Sequence, residues 1–225
     1  MKTTSSNERN CMQQALAPRA QLCVWTGVDP DHEADFNRWY DREHMQERVA
    51  IRGFQSARRL RALDDAGPRP YLALYDTEDI GVFTSAAYRQ AFTKQTEWSL
   101  RNFARMRNTQ RRVGQLVVEA GEGEGAFATV AVLPAMPAEI EPLRVLLEGL
   151  CAEGDAIHAS VLATDVPLST PLTAGAEAPP ADAVVMVEYS TADAACAHAP
   201  ALAAALGVTA ASIHFFQTLW RLGAR

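Results

Sequence analysis

No stretch of this sequence approaches the roughly 20 apolar residues that a membrane-crossing helix requires. Its polar opening, MKTTSSNERNCMQQALAPRA, has no apolar run like the core of a secretory signal. The four cysteines, Cys11, Cys23, Cys151 and Cys196, form no CxxC and no zinc-like pairing with the five histidines. A disulfide framework is therefore not expected, and a reducing, cytoplasmic setting is. Glycine-rich phosphate loops, a GxSxG elbow and HExxH are all missing. A basic excess is missing too, since the net charge is −6. Residues 126–225 carry 3 Lys+Arg against 10 Asp+Glu, whereas residues 1–125 carry 18 against 17. Neither nucleic acid nor membrane is expected as a partner of such a chain.

What is present is core material: 48% of the 225 residues are hydrophobic, enough for one large domain or two small ones. Residues 1–19 read as a flexible tail. The β-branched and aromatic run at 21–26, closed by Gly27 and Pro30, predicts a strand. A helix is expected over 31–50, capped by Asp31 and stopped by Gly53. Strands at 54–63 and 70–77 follow, with a turn at 64–69 between them. The spacing of Tyr88, Phe92, Thr96, Leu100, Phe103 and Met106 predicts one helix over 85–107, and 111–120 alternates as a strand.

The order over 20–120 is thus β-α-β-β-α-β. After a Gly/Glu linker at 121–125 it repeats over 126–225: strand 126–133, helix 139–151, strands 156–163 and 183–189, helix 192–206 and strand 212–222. A Pro/Ala-rich loop, 164–182, separates the middle strands. The expected fold class is α+β, with two tandem ferredoxin-like βαββαβ halves. Their antiparallel sheets would bury bare faces together as an α+β barrel, and a homodimer would be compatible with it. Laying Gly53 on Gly154 and Gln115 on Gln217 sets His158 opposite Ala57 and Ser160 opposite Arg59.

Chemistry concentrates in FNRWYDREH, Phe36 to His44. On a regular helix Phe36, Tyr40 and His44 share one stripe, and Trp39 and Glu43 form the adjacent row. A helix C-terminus and a neighbouring carboxylate both favour imidazolium, so the expected pKa of His44 is raised. Such a histidine suits general acid–base work near neutral pH, and equally suits capping its own helix.

The segments WYDREHMQERVAIRGFQSARRLRA, PYLALYDTED, FTSAAYRQAF and TEW resemble the EthD-like family of the dimeric α+β barrel superfamily. The resemblance spans roughly residues 24–116; a proline often found before the G-F pair is Arg52 here. It implies a ferredoxin-like fold and a ligand cleft between helix and sheet. Trp39, Tyr40, Glu43 and His44 take the motif positions, with His44 and Glu43 as an acid–base pair. Arg59, on the second strand, would hold an anionic oxygen, or else form a structural ion pair. Tyr71 and Tyr75 share a strand face, and with Trp25 and Trp98 they are candidates to line a pocket for a flat, apolar ligand. The second half has leucines and Gly149 where the first has the WYxxEH set.

Three readings follow. One is a cofactor-independent enzyme, of lyase, isomerase, cyclase or monooxygenase type, acting on a small aromatic or apolar oxygenated molecule. A second is a non-catalytic ligand-binding or assembly protein whose WYxxEH helix packs an interface. The third is a haem enzyme of the same superfamily, with His44, His158 or His214 as ligand; no metal site is expected otherwise.

Overall fold

The computed structural model describes residues 18–63, 67–170 and 178–224. Most of the expected tail, part of the expected 64–69 turn and the middle of the 164–182 loop lie outside the described residues. Strand β1 (Ala20–Val28) shows how the chain uses both faces of a strand. Leu22 and Val24 point to a helix layer, while Cys23 and Trp25 pack into a second apolar cluster on the other side. Strands β2 (Phe54–Ala62), β3 (Tyr71–Thr77) and β4 (Met106–Gly121) complete the first sheet. Strands β5 (Phe127–Leu133), β6 (Ala156–Thr164), β7 (Ala183–Tyr189) and β8 (Ile213–Gly223) form the second.

Within the halves the strand orders are β2-β3-β1-β4 and β6-β7-β5-β8. Antiparallel seams β2–β8 and β4–β6 join them into one closed eight-stranded barrel. The α+β class and the paired ferredoxin-like sheets are therefore as the sequence predicts. Closure leaves no sheet edge to cap. The core has three parts: the barrel interior, centred on Trp25, Leu60, Leu72, Leu162 and Phe216, and one helix-to-sheet layer in each half.

The ladders settle the internal repeat. Gln115 pairs with Ala20 at the start of β1, and Gln217 pairs with Phe127 at the start of β5, so the two glutamines are equivalent. A register shift near the start of β2 has a counterpart in β6. Counting from those shifts, Ala57 matches Ala159 and Arg59 matches Val161. The expected pairing of His158 with Ala57 is wrong by one residue. Side chains on a strand alternate, so that slip moves His158 and Ser160 from the helix face into the barrel.

The helices depart from expectation in two places. Asp29, not Asp31, caps the first helix, its carboxylate accepting the Asp31 amide before a short 3-10 turn. The helix then runs as α1 (Glu33–Trp39), a π turn over Tyr40–His44, and α2 (Met45–Val49). Gly53 ends the segment at φ +94°, where a Cβ would sit 2.5 Å from Val82. The predicted 85–107 helix is two: α3 (Ala86–Thr93), capped by Ser85, and α4 (Glu97–Arg105), capped by Thr96. Helical spacing persists across the break because Tyr88, Phe92 and Phe103 pack on one layer; the Thr96 hydroxyl, accepting the Ser99 amide, starts a new helix. In the second half α5 (Glu141–Ala152), α6 (Val166–Ser169) and α7 (Ala192–Leu206) cover the sheet or its loops.

Candidate active site

Each hydrogen bond of a π turn spans one more residue than an α turn, which rotates the residues that follow. The consequence is visible at Trp39. The expected row Trp39–Glu43 is replaced by a stack of Trp39 on His44, with ring centroids 4.3 Å apart and planes at 30°. Edges of Tyr40, Phe103 and Tyr75 close the other sides of the imidazole. Glu43 turns away and accepts hydrogen bonds from Thr96 Oγ1 at 2.6 Å and Ser99 Oγ at 3.3 Å. Ser99 Oγ in turn accepts the Trp39 indole N–H at 3.0 Å. Glu43 thus reaches His44 only through Ser99 and Trp39, and the expected direct pair is not formed.

The helix also continues past His44 to Val49, so no C-terminal dipole lies beside the ring. His44 is 5% exposed, and its Nδ1 has no hydrogen-bond partner among the described residues. Burial, then the charges of Arg48 and Arg59, hold its pKa well below the ordinary value. The expected upward shift is reversed, and His44 is a neutral imidazole at neutral pH.

His44 opens on a cavity of about 1070 Å³ between the helices and sheet of the first half. Leu22, Val24, Tyr75, Met106 and Gln110 form its floor; Tyr40, His44, Arg48, Tyr88, Phe92 and Phe103 form its wall. Leu168 and Ser169 of α6, with Pro179 and Pro180, bring the second half to its rim. Burial pushes the phenols of Tyr40 and Tyr75 upward, so both stay protonated donors. The Tyr75 hydroxyl lies near that of Tyr40 and, among the described residues, has no hydrogen-bond partner of normal geometry.

The remaining expected residues divide. Arg59 is 2% exposed and does not line the cavity. It donates to Asp41 and Asn37 and lies 4.2 Å from the centroid of Tyr40, bracing that ring from behind. Tyr71 stands in the same cluster, bonded to Glu33 and Asn37. Trp98 donates to Asp35 at 3.2 Å. Trp25 lies inside the barrel, edge-on to His214 and Phe216. Of the expected substrate-binding set, Tyr40 and Tyr75 border the cavity; Trp25, Trp39, Tyr71 and Trp98 stand behind it or away from it. Arg48, Tyr88, Phe92, Phe103 and Arg111 were missed. Arg48 could have been found one helical turn after His44, whereas Arg111 needed the tertiary path of β4.

A polar chamber of about 380 Å³ sits at one mouth of the barrel. There Arg58 forms a buried ion pair with Glu188, and His158 Nδ1 lies 3.3 Å from the same carboxylate. His158 has the carboxylate partner typical of a ligating histidine, but this chamber is too small for a porphyrin. His44 borders enough space, yet no hydrogen bond among the described residues orients its ring. Neither histidine has the setting of a haem ligand.

No family model matches the sequence, and no curated protein matches it. Solved structures do. An anthrone oxidase-like protein superposes with TM-score 0.62 at 14% identity, over 92% of this chain and 93% of its own. A provisionally assigned monooxygenase from Fusobacterium nucleatum gives TM-score 0.57 at 11% identity, over 92% and 95%. Another, from Lactobacillus acidophilus, gives 0.57 at 9%, over 92% and 97%. What they share with this chain is the fold. In this chain that fold is a closed eight-stranded barrel formed between two halves of one chain.

Proposed function

We propose that this protein is an enzyme whose first-half cleft removes a proton from a flat, largely apolar oxygenated molecule, with neutral His44 as the base. One observation carries the reading: a buried, unprotonated imidazole with an unpartnered ring nitrogen borders a large aromatic-walled cavity. In the proposed step the substrate C–H or O–H bond breaks and the proton goes to the His44 imidazole. The electron pair moves onto a substrate oxygen, which the Tyr40 and Tyr75 phenols stabilise by donation. Glu43 acts as a positioning residue through Ser99 and Trp39, and Arg59 as one through Tyr40. Enolisation of this kind precedes isomerisation, cyclisation and oxygen insertion alike, in keeping with an EthD-like relationship and with the names of the structural neighbours. An assembly helix would bury His44 against protein with no cavity beside it, and that arrangement is not found.

The test is solvent-deuterium exchange into the acidic C–H of anthrone or a cyclic β-diketone, followed by NMR. The wild type should catalyse exchange, and His44→Ala should lose about 10²–10⁴-fold. Equal exchange by both proteins would refute the assignment.

A further inference from the structure

Arg48 is 4% exposed, and its Nη1 has no hydrogen-bond partner among the described residues. No carboxylate among the described residues lies within ion-pair distance of it. Its sequence neighbour Glu47 is exposed, and it feels the Arg48 charge without forming an ion pair with it. The guanidinium packs instead on Phe92, 5.1 Å from the ring centroid, and lines the same cavity as His44. A buried cation normally has a counter-charge, because desolvating it alone is costly.

The rest of the lining repeats the imbalance. Arginines 48, 89 and 111 border the cavity, as does Arg112, whose side chain lies opposite Cys23 on the barrel side of the sheet; none of the described lining residues is Asp or Glu. Arg111 donates to Tyr88 Oη and the Leu168 carbonyl, and Arg89 to the Thr84 carbonyl, all neutral acceptors. Arg112 alone of the four has a carboxylate partner, Asp182 at 2.7 Å. In a chain of net charge −6 this wall is locally cationic.

We infer that the cleft takes its ligand as an anion, an aromatic or polyketide-like carboxylate whose charged oxygens are the missing partner of Arg48. Planar guanidinium matches carboxylate in a two-point hydrogen bond, and Phe92 supplies an apolar surface beside it. Arg111, held at the rim by Tyr88 and Leu168, adds long-range attraction. The inference rests on reading this cleft as a ligand site. It adds the charge of the ligand to that reading.

Calorimetric titration of the full chain with 2-naphthoate and with neutral 2-naphthamide tests it. Naphthoate should bind at least about tenfold more tightly. Arg48→Met should weaken naphthoate about thirtyfold while leaving naphthamide within about twofold. Arg48→Lys should keep part of the preference. Thermal melts guard against misfolding: with an unpaired buried charge removed, ligand-free Arg48→Met should melt no lower than wild type. Equal affinity of wild type for the two compounds, or a preference that survives Arg48→Met, overturns the charge assignment and leaves the proton-transfer reading standing. If neither compound binds wild type, this inference and the aromatic-ligand reading both fail. A charge preference retained by His44→Ala, whose catalysed exchange is unaltered, would instead sink only the base assignment.

Discussion

At His44 three influences on one imidazole act in the same direction. Burial removes water from the charged form, and the guanidinium groups of Arg48 and Arg59 repel a proton. The sign for stability follows. The unfolded chain takes up a proton below the ordinary value of 6.5 and the native state does not. The native state is therefore favoured above that pH and loses this advantage as pH falls toward the lower native value. We predict that the His44 ring signals in a two-dimensional histidine NMR spectrum stay those of a neutral imidazole at pH 6. Appearance of imidazolium there would contradict the structure. Ser99 is the second residue to change. Ser99→Ala leaves the Trp39 indole N–H and one Glu43 oxygen without their shared hydroxyl. We expect a loss of about 1–3 kcal/mol in urea unfolding. Slower exchange chemistry should accompany it, restored in part by Ser99→Thr.

The elements show how local chemistry places those residues. The π turn at Tyr40–His44 swings His44 onto Trp39, and the Thr96 cap delivers Ser99 and Phe103 to the sides of that stack. Glycine matters where backbones meet. Gly114 of β4 approaches β6 so closely that a Cβ would lie 1.8 Å from the Ala163 carbonyl oxygen. Gly149 in α5 has nothing within 4 Å of the same position. Opposite outcomes follow for one substitution. Gly149→Ala should raise stability by about 0.5–1 kcal/mol, the helix-propensity difference. Gly114→Ala should open the β4–β6 seam and lower the melting temperature. Equal melting shifts in the two variants would contradict the packing described.

For the molecule as a whole, the seams between halves are tied by buried charge. Arg58 of β2 reaches Glu188 of β7, and Arg112 of β4 reaches Asp182 beside β7. Burial alone would raise Glu188. The hydrogen bonds of His158 and Arg58, the Arg58 charge and the Gly125 amide outweigh it and hold the carboxyl at about 2, against an ordinary 4.5. Its stabilising contribution is present above the unfolded value and is lost as pH falls through the folded one. The shift corresponds to about 3 kcal/mol. Urea midpoints should fall steeply from pH 5 to pH 2. In Glu188→Gln the pH 7 midpoint should be lower, because Arg58 loses its counter-charge, and the acid slope should be shallower. A wild-type slope unchanged by Glu188→Gln would remove the pair from the account.

Much of this was readable from residue order. Hydrophobic periods and turn residues determined the eight strands, the repeat and the barrel, because binary pattern and loop chemistry are local. The WYxxEH segment likewise pointed to the helix from which Tyr40 and His44 border the cavity. Tertiary structure decided the rest. Whether Trp39 meets Glu43 or His44 depends on a π turn that leaves the residue pattern almost unchanged. Whether Arg58 or Arg59 enters the barrel depends on strand register, where a slip of one residue exchanges the faces. The His44 pKa reversed direction for the same reason: sequence shows which charges lie nearby along the chain, and only packing shows which of them remain in contact and how much water is left.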